Sequence, residues 1–298
     1  MIVRPKIHPI AILFTLKGSI AKRIALRALM ITLLASAIVL VEILHPSYFA
    51  SVSATPFTLL GLSLSIFMSF RNNACYDRWY EARKAWGEVI VHIRSIIRET
   101  HVIRDSAERK PLLLNLCGFA HALNARLRKE SEADASSQWV MPKPDPQTPD
   151  YSGRILQTVG QQCSDLHQNG ELTEWRYMLL ANHLTSLTQA QAVCDRIKTT
   201  PLPFPYTLLL HRTIYLFCIL LPFAMAEPLG WLTPLFTAIV SYTFFGLDAI
   251  ADELEDPFGR DENDLPTDAL VRTLERDILW ELGAEMPPAL KPVDYVLS

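Results

Sequence analysis

Seven carboxylates, Asp252, Glu253, Glu255, Asp256, Asp261, Glu262 and Asp264, fall within 13 residues near the C-terminus. So dense a run repels itself, and either a divalent cation such as calcium or a set of basic side chains must relieve it. The candidate cation ligands are Asp252, Glu253, Glu255 and Asp256. Their spacing is not that of an EF-hand loop, because Pro257 and Gly259 interrupt the run. Arg71, Arg78, Arg83 and Lys84 are the competing partners, and pairing with them is the favoured reading. The eight histidines include no H-E-x-x-H pair and keep no regular ligand spacing, which speaks against a zinc enzyme. The five cysteines (Cys75, Cys117, Cys163, Cys194, Cys218) are odd in number and form no C-x-x-C pair, so neither a disulfide framework nor a zinc ribbon is indicated. Neither G-x-G-x-x-G nor G-x-x-x-x-G-K-[ST] occurs among the 11 glycines. No organic cofactor is implied, and a net charge of −3 argues against a nucleic-acid partner.

The elements that must position these groups are apolar. Between Ala28 and Phe70 the one charged residue is Glu42, and between Thr213 and Leu247 it is Glu227. A membrane crossing needs roughly 20 apolar residues. Four segments approach that length: Ala25 to Leu44, Pro56 to Phe70, Tyr206 to Ala226, and Pro234 to Leu247. The alternative is four core helices of a soluble all-α protein. Thr55 before Pro56, and Thr233 before Pro234, suit helix starts with proline at the first position.

Charge gives an orientation. Residues 1–212 carry 24 Lys/Arg against 16 Asp/Glu, and residues 213–298 carry 4 against 15. The connections at 42–55 and 226–233 contain no Lys or Arg, whereas 71–212 contains eighteen. By the positive-inside rule both termini and the middle of the chain are expected on the cytoplasmic side of the membrane.

The expected organisation has five parts. Residues 1–24 form a basic segment at the lipid headgroups, and 25–70 hold the first two crossings. Residues 71–205 form a cytoplasmic helical domain, with 131–150 as a proline-rich mobile loop. Crossings three and four occupy 206–250, and 251–298 form an acidic cytoplasmic end. The 56–70 helix is expected to run on unbroken past Arg71, since Gly87 is the one helix breaker before Arg104.

That second helix carries a pattern. Leu62, Ile66 and Phe70 recur at every fourth position along one side, and Ser65, Ser69, Asn72 and Asn73 fall on or beside it. An apolar stripe edged by hydroxyls and amides suits a helix lining a narrow, partly wetted axis. Several copies around a symmetry axis would be needed to enclose one. The competing reading is a stripe packed on a neighbouring crossing, with serines allowing close approach.

The run Phe70-Arg71-Asn72-Asn73-Ala74-Cys75-Tyr76-Asp77-Arg78-Trp79-Tyr80-Glu81-Ala82-Arg83 resembles the signature that follows the pore helix of bestrophins. Pro201-Leu202-Pro203-Phe204-Pro205-Tyr206 with His211-Arg212, and Asp252-Glu253-Leu254-Glu255-Asp256-Pro257-Phe258-Gly259, resemble later stretches of the same family, its bacterial branch above all. The likeness spans roughly residues 1–285. It implies an all-α homopentameric channel whose four transmembrane helices continue into a cytoplasmic helical domain. Its partners would be further copies of itself, membrane lipids and permeant monovalent ions. It also implies a hydrophobic neck at Leu62, Ile66 and Phe70, and a second constriction at Met178, with Leu179 or Tyr177 as alternatives. Calcium binding at the acidic run would follow from the animal members, although the run departs from their pattern. An aliphatic neck and the acidic C-terminal excess favour cations, while the family at large favours chloride.

Overall fold

The computed structural model describes residues 1–4, 15, 17–45, 53–103 and 106–298. Among them the fold is all-α, with strand pairing limited to isolated bridges such as Ile2 with Val296. The helices are α1 (Ala21–Leu44), α2 (Thr55–Glu99), α3 (Ser106–Leu127), α4 (Glu132–Ser136), α5 (Tyr151–Gln168), α6 (Glu174–Thr199), α7 (Phe204–Leu229), α8 (Thr233–Glu255) and α9 (Thr267–Glu281). Two compact units share them. One gathers Pro5–Trp79 and Pro201–Asp256; the other gathers Met1–Arg4, Tyr80–Thr200 and Pro257–Ser298. The division therefore falls after Trp79 and not at Arg71, because Arg71 and Arg78 bond to the end of α8.

In the first unit α1, α7, α8 and the start of α2 pack through Ile24, Ile31, Leu64, Met68, Ile214 and Phe245. Two stretches, Ala21–Leu44 and Phe204–Glu255, are long and apolar enough to cross a membrane. Small residues set the close approaches. A Cβ at Gly61 would stand 3.1 Å from the Phe217 ring, and one at Gly246 would stand 3.0 Å from Ile20. Gly61→Val should therefore push α2 off α7, destabilising the protein by about 1–3 kcal/mol. A fall in melting temperature, partly restored by Phe217→Leu, is the expected result, and an unchanged temperature would count against this contact. Thr233 does not cap its own helix as expected. Its hydroxyl donates instead to the Met225 carbonyl at 2.8 Å, tying the start of α8 to α7.

The second unit is built on α3, whose Leu112, Leu113, Leu116, Phe119, Ala120 and Leu123 are fully buried. Around it lie α4, α5 and α9. Ile155, Val159, Cys163 and Leu166 form the inner stripe of α5, whose N-terminus is capped by the Asp150 carboxylate accepting from Gly153 N–H at 3.1 Å. That helix ends at Asn169, and Gly170 takes the left-handed φ of +80° that the sequence pair suggests.

The proline-rich tract at 131–150 is loop over most of its length, as its composition suggests, but it is anchored at its start and middle. It contains α4, and Val140 is buried so close to Gly118 of α3 that a Cβ there would meet it at 2.2 Å. Buried Asn115 fastens the tract further, donating to the Met141 carbonyl and accepting from its N–H, both at 2.9 Å. Local composition cannot reveal such a distant amide.

His121 stacks on Trp139 of the same tract, ring centroids 5.6 Å apart. Burial, with Arg272 nearby, lowers its pKa from 6.5 to about 4. Between those values the unfolded chain binds a proton that the folded one refuses. Stability is thus full above pH 6.5 and falls towards pH 4, by up to about 3 kcal/mol. Buried Glu275, whose carboxyl is raised, works in the opposite direction. The drop in melting temperature on acidification should shrink in His121→Gln; an equal drop in both proteins would refute the assignment.

Residues 1–24 are expected along lipid headgroups, and of these 5–14 and 16 lie outside the described residues. Met1–Arg4 instead pair with the C-terminal end. The Met1 amino group donates to Leu297 O at 2.6 Å, Val3 N–H donates to Tyr295 O at 2.8 Å, and Arg4 lies over the Tyr295 ring.

Candidate pore helix and its buried anchor

Helix α2 spans 45 residues, about 68 Å at 1.5 Å per residue. Its inner face is read directly from burial: Leu64, Met68, Arg71, Cys75, Ala82, Ala85, Val89, Ile93 and Ile96 follow one another at steps near three, four or seven. Leu62, Ile66 and Phe70 lie on the other side, 61%, 49% and 60% exposed. Among the described residues none of the three belongs to the buried core of its own chain.

Exposure of apolar side chains alone does not separate lipid from a conduit, since α1 and α8 also expose many. Polar groups along the face add to it. On α8, Thr233, Thr237 and Ser241 are fully buried, Thr243 is exposed, and Leu235, Phe236 and Ile239 face outward. On α2, Ser63, Ser65 and Ser69 stand exposed among Leu62, Ile66 and Phe70. Ser65 donates to the Gly61 carbonyl at 2.8 Å, which leaves its oxygen lone pairs outward. Asn73 is exposed too, whereas the Asn72 Oδ1 is buried without a hydrogen bond among the described residues. Asn72 therefore does not share the outer side as its spacing suggested.

Directly after the stripe the helix is fastened. Arg71 is fully buried; its Nη1 donates to Asp248 Oδ1 at 2.7 Å and its Nη2 to Asp252 Oδ1 at 2.6 Å, with Glu255 Oε2 3.7 Å away. His211 Nδ1 lies 3.0 Å from the second Asp248 oxygen, so that fully buried carboxylate is held from α2 and α7 together. Arg78 Nε donates to the Glu255 carbonyl, and the Glu255 carboxylate accepts from Leu202 N–H at 3.0 Å. Tyr206 Oη donates to the Phe67 carbonyl at 3.0 Å, pinning the backbone between Ile66 and Phe70.

The candidate calcium ligands are thus turned to different partners. Asp252 and Glu255 face Arg71, and Glu253 lies 3.2 Å from Arg23. His211, Asp248 and Asp252 bring three ligand atoms within 4.8 Å of one another, but the Arg71 guanidinium already bonds both carboxylates there. Asp256 adds no ligand to that group. Lys84, expected among the basic partners, sits over the Tyr80 ring.

Sequence reasoning missed Asp248, Gly61 and the role of His211. The signal for Asp248 was available. It is a lone carboxylate inside an uncharged stretch, one helical turn before Asp252. Met178 belongs to the other unit, on α6, and is exposed, as is Leu179. The Tyr177 ring stacks on His167, centroids 5.2 Å apart, which occupies that alternative.

The comparisons agree with one another. Residues 1–280 match the family model described as Bacterial/Fungal Bestrophin protein. A Mesorhizobium japonicum protein named voltage-dependent anion channel-forming protein mll4386 is 39% identical, covering 99% of this chain and 96% of its own. The Escherichia coli K12 voltage-dependent anion channel-forming protein YneE is 37% identical, with 98% of each chain covered. The crystal structure of a bacterial bestrophin homologue from Klebsiella pneumoniae superposes with a TM-score of 0.82 at 35% identity, over 88% of this chain and 99% of its own. These relatives are named for channel formation, not for catalysis.

Proposed function

The chain belongs to the bacterial and fungal bestrophin family, and from that premise we propose that it is a homopentameric ion channel. In this reading five copies of α2 surround the axis, and Leu62, Ile66 and Phe70 form successive apolar rings that restrict passage by dewetting. The observation that carries it is the outer side of α2, where Leu62, Ile66 and Phe70 and the serines beside them stand outside the buried core of their own chain. The relatives' names for channel formation support the same reading. Met178 forms a second, cytoplasmic constriction.

Four crossings in a bacterial inner membrane, with both ends inside, fit the pairing of Met1–Arg4 with residues 295–297. That Met1–Arg4, Tyr80–Thr200 and Pro257–Ser298 form one compact unit supports this reading, in which an even number of crossings separates them.

The permeant ions are monovalent. The acidic excess of residues 213–298, 15 Asp/Glu against 4 Lys/Arg, favours cations if it faces the permeation path. Anion passage is the second reading, favoured by the names of the relatives. Purified protein in planar bilayers under asymmetric NaCl separates these outcomes. Reversal near the sodium equilibrium potential supports cations, reversal near that of chloride supports anions, and the absence of unitary current would leave a non-conducting scaffold. The acidic run acts in this proposal as the buckle on Arg71 and not as a calcium sensor. Calcium should leave open probability unchanged, and a steep calcium response would return Asp252, Glu253, Glu255 and Asp256 to the role of divalent ligands.

A further inference from the structure

His92 on α2 and His183 on α6 are 91 residues apart in sequence, yet their Nδ1 atoms stand 3.1 Å apart. The rings are tilted by 47° with centroids at 5.3 Å, so they meet edge to edge through nitrogen and not by stacking. Glu88, one turn before His92, places Oε2 3.4 Å from the other ring nitrogen, Nε2. A cleft of about 390 Å³ between the two helices is lined by Glu88, His92 and Ser186, which opens His92 to solvent.

From this geometry we infer that His92 and His183 form a binding site for a transition-metal dication of the zinc class, with Glu88 as its positioning carboxylate. A metal 2.0–2.1 Å from each Nδ1 would see the two nitrogens at roughly 98°, between the octahedral and tetrahedral values. The ring nitrogen left over on His92 points at a carboxylate, the arrangement that fixes tautomer and orientation in metal-bound histidines. A simple hydrogen bond between the rings would explain the 3.1 Å distance but gives no role to Glu88 on the far edge. The remaining positions around the metal are open to water from the cleft.

Burial and the neighbouring His92 lower the pKa of His183, with Glu99 opposing and Arg98 assisting. Glu99 is itself held by Arg176 at 3.0 Å. Binding would clamp α6, five residues past Met178, to α2.

Binding is measured directly, by titrating the purified full-length protein in detergent with Co²⁺ and recording its visible ligand-field bands, then competing with Zn²⁺. Saturable binding of one ion per chain is expected. It should be lost in His92→Gln and in His183→Gln, which alter different helices, and weakened about 10–100-fold in Glu88→Gln. Size-exclusion elution and melting temperature establish that each variant is folded. No saturable binding by the wild type, or undiminished binding by the doubly substituted His92→Gln/His183→Gln protein, overturns the inference. Because the readout is binding and not current, the site can fail while the channel reading stands, and the reverse.

Discussion

Arg71→Met is expected to yield little folded protein. The guanidinium is fully buried, and its removal leaves Asp248, also fully buried, without the charge that compensates it. Taking one partner from a buried ion pair costs about 3–5 kcal/mol, a large part of a typical folding free energy. The loss should appear as poor yield, aggregation in detergent, or a melting temperature lower by ten degrees or more, on the order of what that energy implies. Asp252 should matter less, because its side chain is 36% exposed and can rehydrate. The decisive comparison is the double variant Arg71→Met/Asp248→Asn, which removes both charges and should recover much of the stability. If the single substitution is as stable as the wild type, the buckle does not hold α2 as described.

Ile66→Ala should raise unitary conductance strongly while leaving the melting temperature nearly unchanged. The side chain is 49% exposed in its own chain, so its truncation removes little packing within the subunit. In an apolar ring, however, each side chain narrows and dries the passage. Lowering the barrier by about 1.4 kcal/mol is worth about tenfold in rate. Ile66→Phe should act in the opposite direction or change selectivity. The pattern expected of mere packing is the reverse: a marked fall in stability with conductance untouched. Finding that pattern would move the stripe from the conduit to a helix contact.

Periodicity made much of this legible. Leu62, Ile66 and Phe70 stood out because a helix repeats every 3.6 residues and the sequence keeps that step. The unbroken run of α2 was equally readable, since little between Pro56 and Glu99 could break a helix. The pairing of the acidic run with Arg71 could be anticipated from charge alone, for carboxylates so dense need cations nearby; Arg78 meets only the main-chain carbonyl of Glu255.

Other features depend on contacts between residues far apart in sequence, which no local pattern encodes. The proline-rich tract at 131–150 reads as an unanchored loop until Gly118 and Asn115 supply a groove and an amide for it. Asp248 becomes an anchor only when α2 and α7 bring Arg71 and His211 to its two oxygens. His92 and His183 have no meaningful spacing, and they meet because α6 lies along α2. The sequence by itself determined which side chains repeat on a helix face and which charges need neutralising, because both follow from chain geometry and electrostatics over a few residues. The tertiary structure alone decided which of those faces stays open and which atoms meet. Burial is a property of the packed assembly of helices, and long-range partners are chosen only when that packing forms.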